Sequence, residues 1–179
     1  MKLILLAGKA NCGKTSMANF IREYYVTRRV NCVATEMGKY LKMYARELTD
    51  WDGNEATKPR KYLQDLGMLI RKDMNNPLFL INRIKEDIEL YRRDNEVIII
   101  SDVRLPEEIE EFRNSYDDVV TINVVNQYGN NTLTMEEQTH YTELALENYS
   151  DYDYTVINED LKTAREKIHE ILGELENEH

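Results

Sequence analysis

Cysteine is nearly absent from this chain: Cys12 and Cys32 are the only two in 179 residues. That argues against a disulfide framework and makes a reducing cytoplasm the expected setting. Basic charge is also in deficit, with 23 lysines and arginines against 33 aspartates and glutamates, a net charge of -10. Such a chain is a poor electrostatic partner for nucleic acid or an anionic membrane, so neither is expected. No apolar run approaches the roughly 20 residues that a membrane-spanning helix needs. The opening M-K-L-I-L-L-A superficially resembles a signal peptide, but its apolar run is short and leads straight into a glycine loop, so secretion is not expected. The sequons at Asn130 and Asn148 then carry no meaning. Repeats, low-complexity segments and linkers are missing too. With 42% hydrophobic and 31% charged residues, the chain is expected to form one domain with a real core.

What is present is concentrated near the start. Gly8-Lys9-Ala10-Asn11-Cys12-Gly13-Lys14-Thr15 spells G-x-x-x-x-G-K-T, a phosphate-binding loop. The apolar run Lys2 to Ala7 before it suits a buried parallel strand. Met17, Ala18, Phe20, Ile21, Tyr24 and Tyr25 after it fall at helical spacing. Gly8 and Gly13 allow the backbone N–H groups to wrap a polyphosphate, and the following helix turns its positive end toward the anion. Lys14 is expected to reach the β- and γ-phosphates of ATP, and Thr15 to offer its hydroxyl to Mg²⁺. Asn11, Cys12 and Ser16 complete the expected nucleotide-binding stretch.

Strands and helices alternate onward. Strands are expected near Leu3–Ala7, Cys32–Thr35, Val97–Ile100, Val119–Val125 and Tyr154–Ile157. Helices are expected near Thr15–Arg28, Tyr40–Leu48, Arg60–Lys72, Leu78–Tyr91, Pro106–Arg113, Met135–Glu147 and Leu161–Leu175, with a polar loop over Asn126–Thr132 and a fraying tail after Leu175. This predicts a three-layer α/β sandwich of the P-loop NTPase type, with about five parallel strands and helices on both faces. Its ligands belong at the carboxyl ends of the strands, where the Gly8 loop lies. The run V-I-I-I-S-D ends in Asp102, placed to order Mg²⁺; the bland alternative is a cap for the next helix. Arg104 follows at the same mouth and can grip a phosphate, or else form a surface salt bridge with Glu107 or Glu108.

The segment I-S-D-V-R-L-P-E-E over 100–108 resembles the D-V-R-F-P-N-E signature of the bacteriophage deoxynucleoside monophosphate kinases. Leu48-x-x-Trp51-Asp52-Gly53 followed by Arg60-x-x-Leu63-Gln64-x-Leu66-Gly67-x-x-x-Arg71, then His140-Tyr141-Thr142-Glu143, then Val156-Ile157-Asn158-Glu159-Asp160, are similar to later parts of that family in order and spacing. The resemblance implies transfer of the γ-phosphoryl of ATP to a deoxynucleoside monophosphate. It implies a single domain over 1–179 with a helical acceptor-binding insertion about 38–93 and a small lid about 126–147. Lys42, Arg60, Gln64 and Arg71 would line the acceptor pocket, Asp102 and Arg104 the metal and acceptor side. His140 and Glu143 would belong to the lid region, and Asn158 to the adenine side.

One feature departs from that pattern. From Ile122 through Asp153 there is no lysine or arginine, although lids of nucleotide kinases usually bring arginine to the transferring phosphate. The charge must then come from Arg104, Arg71 or a second subunit of a homodimer, or transfer is weak. Other small-molecule kinases, such as dephospho-coenzyme A kinase, and a nucleotide-binding regulatory module remain open. A GTPase switch does not fit: no N-K-x-D motif exists, and Asp50-Trp51-Asp52-Gly53 lacks a preceding buried strand.

Overall fold

The apolar runs build one parallel sheet in a computed structural model that describes residues 1–127 and 133–177. Among these residues the sheet has five strands, β1 (Lys2–Ala7), β2 (Cys32–Glu36), β3 (Val97–Val103), β4 (Val119–Asn126) and β5 (Tyr154–Asn158), in the order β2-β3-β1-β4-β5. The expected three-layer sandwich is therefore observed. The sequon at Asn130, most of the expected loop and the last two tail residues lie outside the described residues.

β1 is central, and Leu3 through Ala7 are fully buried. Side chains alternate between faces with the period of a strand. Ile4, Leu6 and Ile99 face α1 (Lys14–Thr27) and α8 (Leu161–Asn177). Leu3, Leu5, Ile98 and Ile100 face α4 (Phe79–Tyr91) and α5 (Pro106–Ser115). Each large side chain so enclosed contributes about 1.5–3 kcal/mol, so both faces of β1 must be covered. The connection from β1 crosses one face toward β2, while those from β2 and β3 cross the other face in the opposite direction. Their divergence opens a crevice at the carboxyl end of β1.

Between β2 and β3 lie α2 (Lys39–Leu48), a 3₁₀ turn (Glu55–Thr57), α3 (Arg60–Met68), a π-helical turn (Leu69–Asp73) and α4. Two sequence expectations need correction here. The helix expected over Arg60–Lys72 widens after Met68 into the π turn, a distortion that often re-aims a side chain at functional sites. The single helix expected over Met135–Glu147 is broken into α6 (Met135–Gln138) and α7 (Tyr141–Leu144). The break falls at His140, whose extended backbone and Nδ1, which accepts from Thr142 N–H at 3.3 Å, start the second helix.

β3 also runs past its expected end, through Asp102 to Val103. Leu5 pairs with Ile100 and Ala7 with Val103, so β3 carries an extra residue in a bulge. Asp102 there adopts a φ of 63°, a left-handed value that aspartate tolerates better than most residues.

Gly8 joins β1 to the loop at φ 141°, and a Cβ on it would lie 2.4 Å from the Val124 carbonyl oxygen. Gly8→Ala is therefore expected to cost about 1–3 kcal/mol and to lower the midpoint of thermal unfolding. An unchanged midpoint would mean that the loop reshapes freely.

Candidate functional site

The chain leaves β1 at Ala7 and turns through 8–13, with Asn11 left-handed at φ 59°, before entering α1 at Lys14. Lys14 is buried, and its Nζ donates to the Gly8 carbonyl at 2.8 Å and the Lys9 carbonyl at 2.6 Å. Cys12 is buried inside the loop, and its carbonyl accepts from Asn158 Nδ2 at 3.0 Å. That bond ties the end of β5 to the phosphate loop. Thr15 and Ser16 occupy the first turn of α1, with Thr15 exposed.

Asp102 and Arg104 meet this loop from β3. Asp102 Oδ1 lies 3.5 Å from Lys14 Nζ and 2.9 Å from Arg104 Nε, which donates to it. Burial alone would raise the Asp102 carboxyl, but Arg104 and then Lys14 outweigh it and hold it well below the ordinary carboxylate range. Asp102 is thus an ion-paired group of the site, not a helix cap. Arg104 likewise makes no surface bridge. Its guanidinium also pairs with Glu143, and only its backbone N–H goes to Glu108, at 2.9 Å.

Glu108, named from the sequence only as a possible surface partner of Arg104, is almost wholly buried. One oxygen accepts from Arg104 N and Leu105 N, at 2.9 and 3.2 Å, and the other from Arg71 Nη2 at 3.2 Å. Burial raises its carboxyl, opposed by Arg71 and the two backbone donors. The Arg71 guanidinium comes from the π turn and lies over Gly67, 2.8 Å from where a Cβ would stand. The signal available in the sequence was positional: a glutamate two residues after Pro106 sits where it can reach back to the helix's first free N–H groups.

These groups and those between β2 and β3 line one cavity that opens to solvent. Lys42, Arg60, Gln64, Arg71, Asp102, Arg104 and Glu143, all singled out above, are on its wall, and so is Lys58, which was not. Lys42 is held by Glu36 at 2.6 Å, Arg60 by Glu55 at 2.9 Å, and Gln64 Nε2 donates to the Glu137 carbonyl at 3.4 Å. His140 stands apart: it lines neither this cavity nor its neighbour and serves as the cap of α7.

The neighbouring cavity is lined by Gly8, Cys12 and Asn126 among others. Ala10, Leu133 and Glu143 border both spaces. Glu143 is buried, accepts from Ala10 N–H at 2.9 Å and pairs with Arg104, so a protein carboxylate occupies an anion position on the loop. Lys9 Nζ pairs with Glu147 at 2.6 Å, and Lys61 Nζ with Glu136 at 2.7 Å. The segment that lacks basic residues therefore meets the loop and α3 through carboxylates.

No group of three or more metal-ligating side chains gathers among the described residues. A hard cation that keeps several waters and the substrate's phosphates needs only one or two protein oxygens. The Thr15 hydroxyl and the ionised Asp102 carboxylate are suitable donors in kind. No helix among the described residues is long and apolar enough to cross a membrane.

No protein-family model matches the chain, and no curated protein sequence matches it. Solved structures do. A shikimate kinase from Aquifex aeolicus is 16% identical, with a TM-score of 0.51 over 98% of this chain and 97% of that one. A shikimate kinase from Bacteroides thetaiotaomicron is 17% identical, with a TM-score of 0.53 over 98% of each chain. The APS kinase of Mycobacterium tuberculosis is 12% identical, with a TM-score of 0.53 over 98% of this chain and 97% of that one. The chain shares the fold of these kinases.

Proposed function

We propose that this protein transfers the γ-phosphoryl group of ATP to a deoxynucleoside or nucleoside monophosphate, giving the diphosphate. The observation that carries the reading is the cavity in which Lys42, Arg60, Arg71 and Arg104 converge next to the phosphate loop. The segments 38–93 and 126–147 are read as its acceptor-binding insertion and lid.

Phosphoryl transfer needs in-line placement and positive charge more than covalent help. In this reading the 8–15 loop and Lys14 hold the triphosphate, and Asn158 borders the adenine side. When bound, Mg²⁺ would neutralise phosphate charge, with Thr15 and Asp102 as its protein oxygens. Arg104 and Arg71 face the acceptor and stabilise charge that develops between the two nucleotides. They replace the lid arginines that the sequence lacks, without calling on a second subunit. The Gln64 amide can read a base edge.

Glu143 then has a double character. It presets Arg104 and the Ala10 amide, yet its negative charge stands where a phosphate must come, so it has to withdraw. Glu143→Gln is expected to bind a non-hydrolysable ATP analogue on the order of tenfold more tightly by titration calorimetry, because a like charge is removed at short range. Weaker binding would show that the carboxylate supports the nucleotide.

The deciding assay is ADP production from Mg-ATP with each ribo- and deoxynucleoside monophosphate, and dephospho-coenzyme A, supplied in turn. ADP that appears only with one or a few monophosphates is the expected result. ADP only with dephospho-coenzyme A would move the reading to that kinase. Absence of acceptor-dependent ADP from a protein that still binds ATP would replace it with a regulatory module.

A further inference from the structure

The two walls of the cavity that holds Lys42, Arg71 and Arg104 differ in charge balance. On the loop side, Arg71 and Arg104 face Asp102, Glu108 and Glu143, and Lys14, which pairs with Asp102 from behind the lining, brings the balance to three cations against three carboxylates. On the other side stand Lys42, Lys58 and Arg60. Lys42 is paired with Glu36, but Lys58 and Arg60 share a single oxygen, Glu55 Oε1, at 3.2 and 2.9 Å. That wall carries three cations against two carboxylates, and the shared carboxylate is itself 64% exposed to water.

Lys58 lies between the 3₁₀ turn and α3, followed by Pro59, which restrains its backbone. Its side chain is only 13% exposed. Burial, and then the neighbouring Lys42, hold its ammonium below the ordinary lysine range. Two lysines brought together in a half-closed wall raise each other's cost, and an anion between them relieves it. Met37, Leu41 and Leu63 supply apolar surface on the same cavity. The combination suits a ligand with a doubly charged phosphate on a largely apolar body.

We propose that Lys58, together with Lys42, binds the phosphate of a phosphate-monoester acceptor and so selects such acceptors over ones that offer a hydroxyl alone. The inference rests on the phosphoryl-transfer reading and deepens it by assigning a residue to the acceptor phosphate. Arg71 and Arg104 are then left for the group in flight.

The test compares wild type with Lys58→Gln and Lys58→Arg, using the monophosphate that wild type turns over best. Lys58→Gln should raise the acceptor KM at least tenfold, leave the KM for ATP and the unfolding midpoint within error, and be largely rescued in Lys58→Arg. An acceptor KM within twofold of wild type, or an equal rise in the KM for ATP, overturns the assignment. A second arm does not depend on turnover. With the loop saturated by Mg-ADP, inorganic phosphate is titrated and followed by ³¹P line broadening. Binding to wild type but not to Lys58→Gln supports the site even if no monophosphate is phosphorylated, in which case only the proposed reaction falls. Equal binding to both proteins, or to neither, overturns it.

Discussion

Lys14→Ala should lower turnover on the order of a hundred- to a thousandfold, the cost typical of removing one preorganised donor at developing negative charge. Triphosphate affinity should fall with it. Lys14 Nζ bonds the Gly8 and Lys9 carbonyls, so it shapes the loop as well as supplying charge. Calorimetric titration with ATP and a steady-state assay measure the two losses, and circular dichroism checks that the fold persists. Full activity in this variant would remove the basis for reading 8–15 as the nucleotide site.

Arg104→Ala should act differently. Its guanidinium joins Asp102 and Glu143, so its loss leaves Asp102 with Lys14 alone and Glu143 with only the Ala10 amide. Removing one partner of a buried pair costs about 3–5 kcal/mol, and the unfolding midpoint should fall accordingly. Acceptor-dependent turnover should drop on the order of a hundredfold, with the KM for ATP nearly preserved. An equal loss of ATP affinity would place Arg104 on the donor side. Arg104→Lys should rescue little, since an ammonium cannot reproduce the two-pronged contact with Asp102. The acid dependence of stability supplies a second reading. The folded Asp102 carboxyl is held below its unfolded value, so its contribution is full above about pH 4 and fades as pH falls from there. Much of that acid dependence should disappear in Arg104→Ala.

The two substitutions probe parts of the site that differ in how far the sequence reveals them. The phosphate loop is contiguous, and each of its residue types has a local reason to be there. Asp102 and Arg104 could be placed at the strand mouth from the apolar run that ends there, Arg71 only through a motif resemblance, and nothing in their spacing announced that Glu108 would hold the Arg71 side chain and the Arg104 backbone together. Lys58 was passed over because a lysine before a proline looks like any surface lysine until the fold turns it inward. His140 was singled out on the same kind of resemblance, and in the structure its ring accepts a capping bond from Thr142 N–H.

Taken alone, the sequence determined the order of strands and helices, the burial of both faces of β1, and the glycine loop between β1 and α1. These follow from periodicity and from neighbours in the chain, which act over a few residues. Only the tertiary structure decided that the acidic segment 133–147 meets the loop through Glu143, that β3 bulges at Asp102, and that the cations of 42–71 share a wall. Those outcomes depend on which distant side chains a parallel sheet brings to one end, and on the ion pairs that desolvation forces them to make.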